Sequence, residues 1–189
     1  MTTTTWTKIE TLKESALQWR REATLPQTLA LVATGALLLA LSSAIRIPLP
    51  WTPIPITLQT FAVLLLGMAL GAHASAASVL MYLMTFGGAN LPGPTGGYMV
   101  GFVAAAWFVG YMTDRYTWTR TFPGLAAIMV VADFGLIHGF GLVWLGLLTG
   151  IHHPGTLFTM GTLPFVAGDL LKIIPAVGLG RLIAPQIRS

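Results

Sequence analysis

The chain has 189 residues, of which 54% are hydrophobic and 8% are charged. This composition is typical of an integral membrane protein and excludes an ordinary soluble domain. There is no cysteine, which excludes disulfides, thiolate catalysis and cysteine metal sites. The formal net charge of +4 reflects basic residues near predicted helix ends, so we interpret it as a sign of membrane topology, and we expect no binding of nucleic acid.

The first 25 residues predict an amphipathic cytoplasmic helix on the membrane surface. Apolar residues such as Trp6, Ile9 and Leu12 recur among charged ones. The segment lacks the short apolar core and the cleavage site of a signal peptide. We therefore expect an N-terminal segment over residues 1–25 and one transmembrane domain over residues 26–189.

The transmembrane domain is long enough for about six helices of roughly 20 residues each. Windows of apolar residues place these helices at residues 26–46, 56–71, 73–87, 97–113, 121–148 and 161–184. The boundary between the second and third rests on Gly71, Ala72 and His73, so a single kinked or re-entrant element is the alternative. The predicted fold is an all-α bundle of six transmembrane helices.

Lysine and arginine residues predict the orientation of this bundle. Most of them fall on one side: Lys8, Lys13, Arg20, Arg21, Arg115, Arg120, Arg181 and Arg188. In the loops of the other side there is only Arg46. By the positive-inside rule, both termini are cytoplasmic, and loops 46–56, 87–97 and 149–161 face outward from the plasma membrane.

The first helix carries a stripe of small residues, Ala36, Ala40 and Ala44, at intervals of four. Such a stripe lets another helix approach closely, either within the bundle or from a partner protein. The spacing alone leaves both interpretations open.

The first outer loop contains four prolines, which favour extended backbone and block helix. Trp51 adds a broad aromatic surface, so we expect a stiff flap over the outer face; a connector with an interfacial tryptophan is the alternative. Gln59 follows near the start of a membrane helix, where its amide needs a hydrogen-bonding partner.

The second outer loop, residues 86–98, has five glycines and two prolines and leads directly into a helix. Exposed amides at a helix N-terminus can receive an anion or a carbonyl group, and Asn90, Thr95 and Tyr98 add polar groups. A tight turn between packed helices is the alternative. The loop has no Gly-Lys-Ser/Thr ending, so it is not a phosphate loop for nucleotides.

Asp169 and Lys172 are the first candidates for function. Three residues apart in an apolar helix, they share one face, and ionisable residues within a membrane usually face a cavity. Asp133 and His138 are five apart, roughly on different sides of a regular helix, and we interpret them as separate structural contacts rather than a proton relay. His152 and His153 are interpreted as loop residues, and no metal site is predicted.

Three motifs resemble the BioY family: PWTPIPITLQT at residues 50–60, GPTGGYMVGF at 93–102 and PFVAGDLLK at 164–172. The resemblance covers about residues 28–185. BioY proteins are biotin transport proteins, the substrate-binding S components of energy-coupling factor (ECF) transporters. The resemblance therefore implies a six-helix membrane fold, capture of biotin from outside, and no enzymatic activity.

The resemblance also implies partners and contacts. The partners are a transmembrane coupling protein and cytoplasmic ATPases. This chain has no nucleotide-binding motif, so we expect it to hold no cofactor. We expect ATP to be used by the partner subunits only. The alanine stripe is similar to the surface that S components press against the coupling protein. The implied biotin contacts are Asp169, Lys172, Gln59, Thr57, Trp51, Asn90, Thr95, Gly96, Gly97 and Tyr98.

Lys172 suits the valerate carboxylate of biotin, and Asp169 can hold the Lys172 head or accept from a ureido N–H. One departure is the stretch from Thr85 to Leu91, which is shorter than in family members. Two other functions stay open: an S component for another small carboxylated vitamin, and an intramembrane lipid-modifying enzyme with Asp169 or Asp133 as base. Neither a metal motif nor a paired-carboxylate cluster supports the enzyme.

Overall fold

The structure is a computed structural model that describes residues 22–183 together with Ser15 and Arg20. The predicted amphipathic helix lies almost entirely outside the described residues. The α-helices of the described part are α1 (Leu25–Ala44), α2 (Gln59–Tyr82), α3 (Gly96–Arg115), α4 (Phe122–Val130), α5 (His138–Thr149), α6 (Pro154–Gly161) and α7 (Val166–Ile183). Between them lie π-helical turns at Leu83–Gly87 and Val131–Ile137 and 3₁₀ turns at Gly88–Asn90 and Thr117–Arg120.

The first outer loop forms a small antiparallel hairpin. Strand β1 (Arg46–Ile47) pairs with β2 (Ile56–Thr57), with Arg46 opposite Thr57. The prolines between the strands favour extended backbone, as the sequence indicated. This flap, residues 46–57, is an exception to the predicted all-α class, and it delays the start of the next helix from residue 56 to Gln59.

Helix α2 reverses direction at Gly71, at the predicted boundary of the second and third helices. Gly71 has φ 76° and ψ 178°, a conformation essentially confined to glycine. Gln59 Nε2 donates to the Tyr82 hydroxyl at 2.9 Å, although a straight helix would separate residues 23 positions apart by about 34 Å. Helix α2 therefore consists of two antiparallel arms, residues 59–70 and 72–82.

The Gly71 turn is held from two sides. Helix α3 crosses it at Gly110, where a side chain would collide with the Gly71 and Ala72 backbone. Arg20 donates to both carboxylate oxygens of Asp114 at 2.9 Å and to the carbonyl oxygen of Ala69 at 3.3 Å. The reversal thus lies at the end of the bundle that the sequence predicts to be cytoplasmic.

Four helical runs of the described chain are long and apolar enough to cross a membrane: Leu25–Ala44, Gln59–Asn90, Gly96–Arg115 and Phe122–Thr149. Pro154–Gly161 and Val166–Leu182, bent by 55°, add a fifth if the pair forms one span. The run from Gln59 includes the reversal at Gly71, so the count of six depends on whether each arm crosses. It stays a prediction.

Two predicted boundaries are wrong. The third outer loop, predicted at 149–161, is largely occupied by α6, because Pro154 starts a helix and His153 caps it by accepting from Thr156 N. The last helix, predicted from residue 161, starts at Val166 after a break at residues 162–165. Pro164 lies in that break and has no N–H to continue the hydrogen-bond ladder.

The alanine stripe of α1 faces the protein's own core. Ala36 is 1% exposed and belongs to the core, and Ala40 is partly buried against it. Among the three alanines only Ala44 is exposed. This corrects the assignment of the stripe as a partner surface, because Ala36 and Ala40 are already covered by the bundle; the outward face of α1 carries Leu37 and Leu41 instead.

We predict that Gly71→Ala destabilises the protein by about 1–3 kcal/mol, because any other residue at this φ and ψ is strained. The added Cβ would also collide with the Arg20 and Asp114 side chains. Thermal unfolding of purified protein in detergent measures the effect. The matched control is Gly178→Ala in α7, where an added Cβ meets nothing within 4 Å; equal midpoints for the two variants would contradict the tight reversal.

Candidate ligand-binding site

A cavity of about 690 Å³ lies at the end of the bundle opposite the Gly71 turn. The flap, the outer ends of the α2 arms and the glycine-rich loop form its walls, together with residues from α3, α5 and α7. Its size is within the range of small-molecule sites, roughly 300–1,000 Å³. Its lining combines apolar side chains such as Met99 and Phe102 with polar and charged ones.

Asp169 and Lys172 line this cavity as an ion pair. Asp169 Oδ1 accepts from Lys172 Nζ at 2.7 Å, and the two side chains are 4% and 15% exposed. Their spacing of three places them on one face of α7, as the sequence predicted. Because both charges are largely removed from water, each depends on the other for stabilisation.

His138 lies on the other side of Asp169. Its Nε2 is 3.2 Å from Asp169 Oδ2, and its Nδ1 is 3.0 Å from the Gly161 carbonyl oxygen and 3.1 Å from Thr162 Oγ1. The break between α6 and α7 makes the Gly161 carbonyl oxygen available, because in a continuous helix it would accept from the backbone N–H four residues on. The same break therefore orients His138 and starts the helix that carries Asp169.

Aromatic rings enclose His138. Tyr98 meets it edge to face at 5.6 Å, Phe134 stacks on it at 5.4 Å, and the Phe165 ring is 5.9 Å away. Tyr98 also donates to the Gly161 carbonyl oxygen at 2.7 Å. This apolar enclosure strengthens the polar contacts of the imidazole by keeping water away.

Asp133 completes a cluster of ionisable residues that comprises Asp133, His138, Asp169 and Lys172. One His138 ring nitrogen and one oxygen from each aspartate all lie within 4.8 Å of one another. The prediction that Asp133 and His138 lie on different sides of their helix is wrong. The His138 N–H donates to the Asp133 carbonyl oxygen, five residues back, and this wider π-helical turn brings both side chains to one side.

The structure brings seven of the predicted contact residues to the cavity: Thr57, Gln59, Asn90, Thr95, Tyr98, Asp169 and Lys172. Gln59 has the partner that burial requires, because it donates to Tyr82, whose hydroxyl also lines the cavity. The two outer loops thus cover the site as predicted.

Three predicted contacts are not in the cavity lining. Trp51 is 65% exposed on the outside of the flap. Gly96 and Gly97 are buried in a helix contact, where added side chains would collide with the Leu91 backbone and with Trp144. Their role is close packing of α3, and Trp144 Nε1 in turn donates to the Gly93 carbonyl oxygen at 2.9 Å.

Three of the lining residues that sequence reasoning missed are Arg46, His138 and Tyr82. Arg46 is the single cation of the predicted outer loops, and this isolated charge could have indicated a ligand contact. His138 is an ionisable residue within a membrane helix, which is a second usable signal. Tyr82 had no signal in the sequence, because only the reversal at Gly71 brings it beside Gln59.

The sequence model of the BioY family matches residues 13–189. The chain belongs to the BioY family. Among its relatives, a probable biotin transporter BioY of Methanothermobacter thermautotrophicus is 38% identical over 138 residues, 64% of this chain and 87% of that one. A probable biotin transporter BioY of Pyrococcus horikoshii is 31% identical, covering 77% of this chain and 91% of the relative.

A solved structure gives the same fold. It is the crystal structure of the S-component for biotin from an ECF-type ABC transporter, with a TM-score of 0.72 and 24% identity. The match covers 84% of this chain and 92% of the other. The helical architecture of this BioY protein is therefore that of an S component.

We predict that Gly97→Ala lowers stability by about 1–3 kcal/mol through overpacking against α5. The added Cβ would face the Phe140 carbonyl oxygen, which cannot move as a side chain can. Thermal unfolding measures the loss, with Gly139→Ala as control because nothing lies within 4 Å of its added Cβ. Unchanged stability with weakened biotin binding would instead make Gly97 a ligand contact.

Proposed function

We propose that this BioY protein captures biotin at the outer face of the plasma membrane and acts as the S component of an ECF transporter. The observation that carries the proposal is the ion pair of Asp169 and Lys172 in a cavity of a BioY-family chain, at the end of the bundle that the sequence predicts to face outward. The names of the matched relatives, which are called biotin transporters, support the choice of ligand.

The chemistry of the cavity fits the parts of biotin. Biotin has a ureido ring with two N–H donors and one carbonyl acceptor, an apolar sulfur-containing ring, and a valerate chain ending in a carboxylate. Asp169 can accept a ureido N–H and Lys172 can donate to the ureido carbonyl. Apolar lining from Met99, Phe102 and Phe165 suits the ring between these ends.

The charges of the cavity favour one orientation of the ligand. The Lys172 charge is already compensated by Asp169 at 2.7 Å. Arg46 lines the cavity, is exposed, and makes no ion pair within the described residues. We therefore place the carboxylate at Arg46 and the ureido ring at Asp169 and Lys172, which reverses the sequence-based assignment of the carboxylate to Lys172.

The proposed topology has six spans and two cytoplasmic termini. Arg20, Arg115 and Arg120 lie at the Gly71 end and Arg46 lies at the cavity end, which supports this orientation by the positive-inside rule. Exposed leucines such as Leu147 and Leu171 suit contact with lipid. The proposed partners are a transmembrane coupling protein and cytoplasmic ATPases that supply the use of ATP.

The orientation is tested with biotin and biotinamide, which lacks the carboxylate charge. We predict that Arg46→Met weakens biotin binding by roughly 10–100-fold, the worth of a charge-assisted hydrogen bond, and leaves biotinamide binding unchanged. Lys172→Met weakens both ligands, because it removes a ureido contact and leaves Asp169 poorly compensated. Titration calorimetry on purified protein measures all four affinities.

Trp51→Ala is the matched control, because Trp51 lies in the flap but outside the cavity. It is expected to leave both affinities unchanged. Size-exclusion profiles verify that each variant is folded. If Lys172→Met weakens biotin but not biotinamide, the carboxylate contacts Lys172 and the proposed orientation is wrong.

A further inference from the structure

We propose that His138 carries protons on both ring nitrogens in the ligand-free protein and acts as the positioning residue for Asp169, with the Asp133 carboxylate as its counter-ion. The link to ligand binding rests on the proposed capture of biotin. The protonation of His138 stands on geometry alone.

The hydrogen-bond partners of His138 specify its two protons. Nδ1 is 3.0 Å from the Gly161 carbonyl oxygen, which can only accept, so a proton on Nδ1 makes this contact a hydrogen bond. Nε2 is 3.2 Å from Asp169 Oδ2, and the other oxygen of that carboxylate already accepts from Lys172. An ionised carboxylate also only accepts, so Nε2 must carry a proton as well.

The charge balance of the cluster agrees with two protons on His138. With a neutral imidazole, two carboxylates face the single charge of Lys172, which leaves one buried negative charge in excess. Such an excess is costly in a largely apolar, dehydrated site. An imidazolium balances the cluster.

The Asp133 carboxylate is the group that needs a balancing positive charge. Its side chain is 0% exposed, and neither carboxylate oxygen has a hydrogen-bond partner in the described part of the protein. A neutral Asp133 would also balance the cluster, but His138 would then have one proton for two acceptors. The contacts of Gly161 and Asp169 therefore favour the proton on His138 over Asp133.

The other groups around His138 supply no charge. Tyr98 donates its hydroxyl proton to the Gly161 carbonyl, the Thr162 hydroxyl oxygen lies 3.1 Å from Nδ1, and Phe134 and Phe165 flank the ring. Asp133 and Asp169 are thus the anions next to the imidazole in the described structure.

The consequence for the site is a fixed Asp169. Lys172 holds one carboxylate oxygen and His138 holds the other, so the side chain has little freedom to rotate before a ligand arrives. Each oxygen keeps a lone pair that can accept a ureido N–H. Preorganisation of this kind raises affinity because the ordering cost is already met in the empty protein.

The test is nitrogen NMR of protein labelled with ¹⁵N-histidine, which distinguishes imidazolium from each neutral tautomer. The chain has four histidines, and the signal that disappears in His138→Gln is assigned to His138. At neutral pH we expect the imidazolium pattern in the wild type. We expect Asp133→Asn to convert it to a neutral imidazole, whose weaker hydrogen bond to Asp169 weakens biotin binding about tenfold to hundredfold.

Asp114→Asn is the matched control, because Asp114 pairs with Arg20 at the opposite end of the bundle. It should leave both the His138 spectrum and the biotin affinity unchanged. A neutral His138 in the wild type overturns the proposal even if Asp133→Asn does not fold. A His138 signal that shifts on removal or addition of zinc would also overturn it, because a metal ion rather than a proton would then supply the charge.

The proposed function and this inference fail separately. If His138 is an imidazolium but the protein does not bind biotin, the proposed function is refuted and the proposed protonation of His138 stands. Tight biotin binding with a neutral His138 would keep the function and refute the inference.

Discussion

The site depends on two contacts that hold the Asp169 carboxylate where water scarcely reaches it. Lys172 on the same face of α7 and His138 from α5 each contact one of its oxygens. The His138 contact depends on the break at residues 162–165, which ends α6 and orients His138 through Gly161 before α7 starts. The bend between α6 and α7 thus orients a residue that contacts Asp169.

The sequence was sufficient where function rests on local spacing or on glycine. Asp169 and Lys172 share a helix face because residues three apart always do. The boundary at Gly71 was predicted because Gly71, Ala72 and His73 separate two apolar windows, and glycine readily adopts the backbone angles that the reversal needs. The prolines of the flap predicted its extended backbone for a similarly local reason.

The sequence was insufficient where side chains meet through irregular or tertiary geometry. Asp133 and His138 share a side only because a π-helical turn replaces a regular one, and nothing in the residue spacing indicates that turn. Gly97 reads equally well as a ligand cradle or a packing contact until Trp144 is placed against it. Ala36 likewise suits a partner or the core, and burial decides for the core.

The proposed function requires that the covered cavity of this BioY protein selects biotin. The most direct measurement is titration calorimetry of the purified wild-type protein with biotin, thiamine and riboflavin in parallel. We expect tight binding of biotin at one site per chain and no measurable binding of thiamine or riboflavin. Absence of biotin binding by folded protein, or tighter binding of thiamine or riboflavin, would contradict it.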